Sequence, residues 1–181
     1  AGSDPWLRAG REPGDWRGTL AARWQRAGRS GYLMPLQGGL DRRLSDLIGV
    51  DQRREQLGRN THQFLQGMPA NHALLWGSRG TGKSSLVRAL LAEHAQQGLR
   101  LIEIERDHLA DLPRVVEQLQ GHEQRFVLFC DDLSFEAGEG DYRVLKSVLD
   151  GPLEQAPDNV LLYATSNRRH LVPEKESENA N

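Results

Sequence analysis

The chain has 181 residues, 27% of them charged, and a formal net charge of −2, a balance that argues against a general nucleic-acid binder. Its length suits one domain with a sizeable core. The single cysteine, Cys130, allows no internal disulfide, which fits a reducing compartment. The sequence shows neither an apolar run long enough to span a membrane nor a signal peptide. We therefore expect a cytoplasmic protein without a membrane partner.

The first part of the chain, residues 1–43, is expected to be an appendage with a loose start rich in glycine, proline and charge. A helix is predicted over residues 15–28, followed by an extended connector. Its apolar face would carry Trp16, Leu20 and Trp24 at helical spacing. That face could dock on the core, bind a partner or, through the neighbouring arginines, contact nucleic acid.

The remaining chain alternates between predicted helices and strands. Apolar runs predict four strands, at 73–76, 101–104, 126–130 and 160–164. Such alternation indicates a three-layer α/β/α fold with a mostly parallel sheet, whose ligands bind beyond the carboxyl ends of the strands. We expect this core to cover residues 44–173, and residues 174–181 to be a disordered tail.

The motif GSRGTGKS follows the first of these strands and opens the next helix, and it fits the phosphate-binding pattern GxxxxGK[ST]. Its glycines let backbone N–H groups approach phosphate oxygens, and the helix presents its positive dipole end. The lysine reaches the β- and γ-phosphates, and the next hydroxyl is a ligand for Mg²⁺. The predicted nucleotide-binding residues here are Gly77, Ser78, Arg79, Gly80, Thr81, Gly82, Lys83, Ser84 and Ser85. The motif predicts a P-loop NTPase.

Polar residues end two later strands. Asp131 and Asp132 close the third predicted strand, as in the Walker B pattern. Asp131 is predicted to hold Mg²⁺ opposite Ser84, and Asp132 to polarise the attacking water. Asn167 closes the fourth strand and is predicted to contact the γ-phosphate and orient that water. The candidate catalytic residues are Lys83, Asp132 and Asn167.

Together these motifs resemble those of the AAA+ ATPases. GSRGTGKS is similar to their Walker A, FVLFCDD to Walker B and ATSNR to sensor 1. The resemblance implies that Ile48 and Gly49 belong to a segment whose backbone recognises adenine. Longer stretches, among them NVLLYATSNRRHL, look like a group of uncharacterised bacterial AAA+-like ATPases. The likeness covers about residues 30–175 and implies ATP and Mg²⁺ as cofactors and a possible homo-oligomer.

Two departures from the AAA+ pattern bear on activity. Most AAA+ proteins have Asp-Glu in Walker B, whereas Asp132 is one methylene shorter, so Glu136 or Glu139 is an alternative base. The chain also ends soon after sensor 1, without a visible lid or arginine finger, so we expect a fragment with weak activity. Arg168 and Arg169 are candidates for a finger presented to a neighbouring subunit.

The sequence thus predicts an ATP-binding, Mg²⁺-dependent ATPase core that couples its nucleotide state to a protein partner. Two alternatives remain open. One is a small-molecule kinase, which shares the P-loop. The other is a scaffold that binds ATP with little turnover. The base-reading motif N-K-x-D of GTPases does not occur.

Overall fold

The structure is a computed structural model and describes residues 15–36, 51–77, 83–134, 140–151, 153 and 157–167. The strands are β1 (Ala21–Ala27), β2 (Ser30–Pro35), β3 (Ala73–Gly77), β4 (Leu99–Ile104), β5 (Arg125–Leu133) and β6 (Val160–Asn167). The α-helices are α1 (Asp51–Leu65), α2 (Lys83–His94), α3 (Leu112–Leu119) and α4 (Asp141–Asp150). A 3₁₀ helix, Arg106–Asp111, precedes α3. No helix within these residues is long and apolar enough to cross a membrane.

All six strands form one sheet in the order β2-β1-β4-β5-β6-β3. Only the β1–β2 pair is antiparallel, so the prediction of four core strands in a mostly parallel sheet is confirmed. The connection from β3 through α2 to β4 passes over β5 and β6. The carboxyl ends of β3, β5 and β6 consequently meet at one edge of the sheet, next to the start of α2.

Helices cover both faces of the sheet. On one face α1 and α2 bury side chains such as Leu57, Phe64 and Leu90 against the strands. On the other face α3 and α4 do the same with side chains that include Val115 and Leu145. The central strand β5 is therefore apolar without alternation, and its residues from 126 to 130 are at most 1% exposed.

The helix predicted over residues 15–28 is wrong. A short turn holds Trp16, and the chain then enters the β1–β2 hairpin, whose two-residue loop begins at Gly28 with φ of 61°. Trp16 and Trp24 are 3% and 1% exposed, but Leu20, on the supposed apolar face, is 42% exposed. Trp16, Leu20 and Trp24 are four residues apart, as on one face of a helix, but here Trp16 lies in a turn, Leu20 just before β1 and Trp24 within β1. Both tryptophans dock on the core, as in the first of the three roles that the sequence allows for that face.

The hairpin is fixed to the core by polar contacts with a buried carboxylate as well as by pairing with β4. Asp111 accepts hydrogen bonds from Trp24 Nε1 at 3.0 Å and from Arg26 Nε and Nη2 at 3.0 and 2.9 Å. Gly31 of β2 lies against the Trp24 ring, where an added Cβ would come within 2.1 Å of a ring carbon. The glycine is required because a side chain there would displace the tryptophan.

Candidate functional site

Asp131, near the carboxyl end of β5, is contacted by the helix α2 and by the adjacent strand β6. Ser84, in the first turn of α2, donates its hydroxyl hydrogen to Asp131 Oδ1. Thr165 of β6 donates its hydroxyl hydrogen to the same oxygen. Asp131 is half-buried and Thr165 is 1% exposed. A carboxylate and two hydroxyls therefore converge where α2, β5 and β6 meet.

A bulge in β5 sets the position of the second acid. The register between β5 and β6 shifts between Cys130 and Leu133. Within the bulge Asp132 has a φ of 61°. Among the residues that the structure describes, it is the only one other than glycine with a positive φ. Its N–H donates to Thr165 Oγ1 at 2.9 Å, and its side chain is exposed. Backbone conformations of this sparsely populated kind cluster at functional sites, and aspartate tolerates them better than most residues.

The register of β3 and β6 brings two predicted site residues together. Gly77, the first glycine of the P-loop motif, is the Cα partner of Asn167. Lys83 is the first residue of α2, and Ser85 is half-buried in the same turn. The backbone thus brings the start of the GxxxxGK[ST] motif beside Asn167, at the same end of the parallel strands as Asp131.

Several predicted residues lie outside the described ranges, so their predictions stay open. They are Ile48, Gly49, Ser78, Arg79, Gly80, Thr81, Gly82, Glu136, Glu139, Arg168 and Arg169. The side chains of Lys83 and Asn167 belong to this group as well.

The donor atoms at Asp131 fit a magnesium ion. Mg²⁺ prefers oxygen ligands and is usually held by one or two protein groups together with phosphates and water. Asp131 and Ser84 supply a carboxylate and a hydroxyl oxygen in direct contact. In the described part of the chain, no cluster of three or more His, Cys, Asp or Glu residues could hold a metal. Phosphate and water would have to complete the coordination.

A cleft of about 400 Å³ opens beside the two acids. Its apolar lining comes from Ile104 and Phe129, and charged side chains form most of the rest. Besides Asp131 and Asp132 these are Arg23, Arg88, Glu103, Glu105, Arg106 and Asp107. Sequence reasoning did not select these six residues or Thr165, because β1, α2 and β4 meet here only through the sheet order. Of these seven residues only Thr165 could have been found from the sequence, because its hydroxyl lies two residues before Asn167 in an otherwise apolar strand.

Comparison with known proteins gives one family and many similar folds. The family described as "Protein of unknown function (DUF815)" matches residues 17–181. No curated protein matches the chain. PCH-2 from C. elegans is similar in structure, with a TM-score of 0.51 and 18% identity over 71% of this chain and 40% of its own. The ORC1 protein of Aeropyrum pernix, solved in complex with DNA, has a TM-score of 0.51 and 20% identity over 72% of this chain and 43% of its own.

Both of these proteins are AAA+ ATPases, and at such low identity the likeness concerns the fold alone. The predicted α/β fold with helices on both faces of a mostly parallel sheet is confirmed. The matched region spans less than half the length of either structure.

Proposed function

This chain belongs to the DUF815 family, and we propose that it is an ATP-binding, Mg²⁺-dependent ATPase that couples its nucleotide state to a protein partner. The observation that carries the proposal is the contact between Ser84 and Asp131, where the first turn of α2 meets the end of β5. A hydroxyl directly after the P-loop lysine and a carboxylate at the end of another strand of the sheet are the protein ligands of a nucleotide-bound magnesium ion.

The proposed reaction is attack of water on the γ-phosphorus, with cleavage of its bond to the β–γ bridging oxygen. When bound, Mg²⁺ would offset the charge of the β- and γ-phosphate oxygens. Lys83 would contact the same oxygens, and Asn167 would orient the water. Asp132, exposed at the end of β5, would accept the water proton. Thr165 supports this arrangement because it holds Asp131 through its hydroxyl and Asp132 through the backbone.

The cleft beside Asp132 favours a second candidate function. Its volume of about 400 Å³ falls in the range of small-molecule sites. A molecule bound there would lie next to the same carboxylates as the proposed γ-phosphate. Phosphoryl transfer to a small acceptor would then replace transfer to water.

The test is phosphate release from ATP and Mg²⁺, measured together with ATP binding, for the wild type and Asp132→Asn. We expect Asp132→Asn to bind ATP normally and to release phosphate roughly 10²–10⁴-fold more slowly, as for the loss of a positioned acid–base group. Asp107→Asn is the matched control, since Asp107 is an exposed acid of the same cleft. Its rate should stay at the wild-type level.

Other outcomes of this test would favour one of the alternative functions or a different base. Transfer of the γ-phosphoryl group to an added metabolite, with ADP formed and no free phosphate released, would favour the kinase. Tight ATP binding without turnover would favour the scaffold. A wild-type rate for Asp132→Asn would move the base elsewhere, with Glu136 as the next candidate.

A further inference from the structure

Arg88 brings a positive charge into the cleft that also contains Asp131, the proposed magnesium carboxylate. It lies four residues after Ser84 on α2, one helical turn further along the same side. Its guanidinium carbon is 5.8 Å from the centre of the Phe129 ring. Arg88 lines the same cleft as Asp131 and Asp132. The cleft therefore holds a long cationic side chain as well as the carboxylate that would bind the metal.

Glu103 of β4, which lines the same cleft, forms an ion pair with that charge. Its Oε1 lies 3.3 Å from Arg88 Nη2, and its Oε2 accepts from Arg23 Nε and Nη2 at 3.2 and 2.8 Å. The Glu103 side chain is 14% exposed, against 37% for Arg23 and 42% for Arg88. We call these three residues the Arg23–Glu103–Arg88 bridge. It joins the N-terminal hairpin, the central sheet and the helix that carries Ser84.

Backbone pairing fixes where the bridge forms. Arg23 and Glu103 are Cα partners in the β1–β4 register, and Glu103 and Phe129 are partners in the β4–β5 register. The three residues lie side by side across the sheet, and Arg88 lies over Phe129. Because Arg23 comes from the hairpin, docking of the hairpin determines how Glu103 is held.

Arg88 keeps donor capacity for a second carboxylate. Its Nε is buried and has no hydrogen-bond partner among the residues that the structure describes. Without the charge of Glu103, the acceptors left in the cleft include Asp131 and Asp132. A guanidinium paired with Asp131 would compete with Mg²⁺ for the carboxylate.

On the premise of the magnesium site above, we propose that the Arg23–Glu103–Arg88 bridge holds Arg88 away from Asp131 and keeps that carboxylate available to Mg²⁺. Glu103 and Arg23 are then positioning residues that act through Arg88. The N-terminal hairpin thereby sets the metal affinity of a site to which it contributes no ligand.

The test measures binding of a fluorescent ATP analogue as Mg²⁺ is raised, together with the melting temperature at each Mg²⁺ concentration. We expect Glu103→Gln to raise the Mg²⁺ concentration for half-maximal binding by roughly two- to fivefold, the factor that one partly exposed ion pair can supply. The double variant Glu103→Gln with Arg88→Gln should return to the wild-type value. A merely structural role of Glu103 would not give this rescue.

The hairpin offers a matched pair of controls. Arg23→Ala should raise the half-maximal Mg²⁺ concentration in the same direction as Glu103→Gln. Arg26→Ala also removes an ion pair of β1, the one with Asp111. This change should leave the half-maximal Mg²⁺ concentration at the wild-type value. An unchanged Mg²⁺ dependence in Glu103→Gln, or a shift that the Arg88→Gln change does not reverse, would overturn the proposal. Wild-type protein that binds the analogue without any Mg²⁺ dependence would instead overturn the magnesium site itself, and the bridge's role with it.

Discussion

At the scale of single residues, Thr165 connects the two acids at the end of β5. Its hydroxyl donates to Asp131 Oδ1 and accepts from the Asp132 backbone N–H. It thereby orients a proposed metal ligand and fixes the bulge that presents the proposed base. Groups that orient metal ligands in this way typically contribute 10–100-fold to metal affinity or activity.

We predict that Thr165→Val lowers ATP turnover by about 10–100-fold, because Asp131 loses its orienting donor and the Asp132 N–H loses its acceptor. Thr165→Ser, which keeps the hydroxyl, should retain most of the rate. Ser166→Ala is the control, since Ser166 Oγ donates its hydrogen bond to Leu133 O at 2.9 Å and not to either acid. The measurement is the steady-state rate of ATP hydrolysis by each variant over a range of Mg²⁺ concentrations. Equal loss in Thr165→Val and Ser166→Ala would contradict the prediction.

At the scale of elements, the hairpin depends on a buried carboxylate. The hydrogen bond from Arg26 lowers the pKa of Asp111, helped by the bond from Trp24 and opposed by burial. A carboxyl whose pKa is lowered by folding stabilises the folded state above its unfolded pKa. That stabilisation disappears as the pH falls through the folded pKa. The contribution of Asp111 is therefore complete at neutral pH and lost in acid.

We predict that Asp111→Asn lowers the melting temperature at pH 7, and that the gap from the wild type narrows as the pH falls below about 4. The reason is that protonation removes from the wild type the charge that the variant already lacks. Asp150→Asn, at an exposed position, should change little at either pH. Tryptophan fluorescence during thermal unfolding reports the transition. A gap of the same size at pH 7 and pH 3 would show that the charge of Asp111 does not hold the hairpin.

Elements that bury apolar runs on both faces could be predicted from the sequence, and the hairpin could not. Residues 126–130 could be predicted as a strand because a short, unbroken apolar run is typical of a strand that is covered on both faces. Trp16 and Trp24 satisfy a helical spacing equally well, and only Gly28, followed by a second strand, favoured a hairpin. At the site, motif residues such as Asp131 were predictable. Glu103 was not, because its partners come from distant parts of the chain.

At the scale of the whole molecule, the matched region covers 40% and 43% of two similar structures. We propose that the site needs a positive charge supplied by a neighbouring subunit. A positioned arginine typically contributes about 10³–10⁵ to the rate of phosphoryl transfer. The candidates within the chain are Arg168 and Arg169, presented to a neighbouring subunit.

We predict that ATPase activity per subunit is low and rises with protein concentration, because assembly would bring that arginine to a neighbour's site. The measurement is specific activity across a wide concentration range, with the mass of the particle followed in parallel. A variant with both Arg168→Ala and Arg169→Ala should assemble equally and lose the rise. Fast turnover that stays constant on dilution to a proven monomer would rule out activation by assembly.

Nucleotide binding at the P-loop underlies every functional proposal made for this chain. Isothermal titration of ATP with Mg²⁺ into the wild type and Lys83→Ala tests it most directly, with thermal unfolding as the check that both proteins are folded. We predict a saturable ATP site in the wild type and none in Lys83→Ala, because the proposed lysine contact is with phosphate. Equal ATP affinity in a folded Lys83→Ala protein would contradict the assignment of the site.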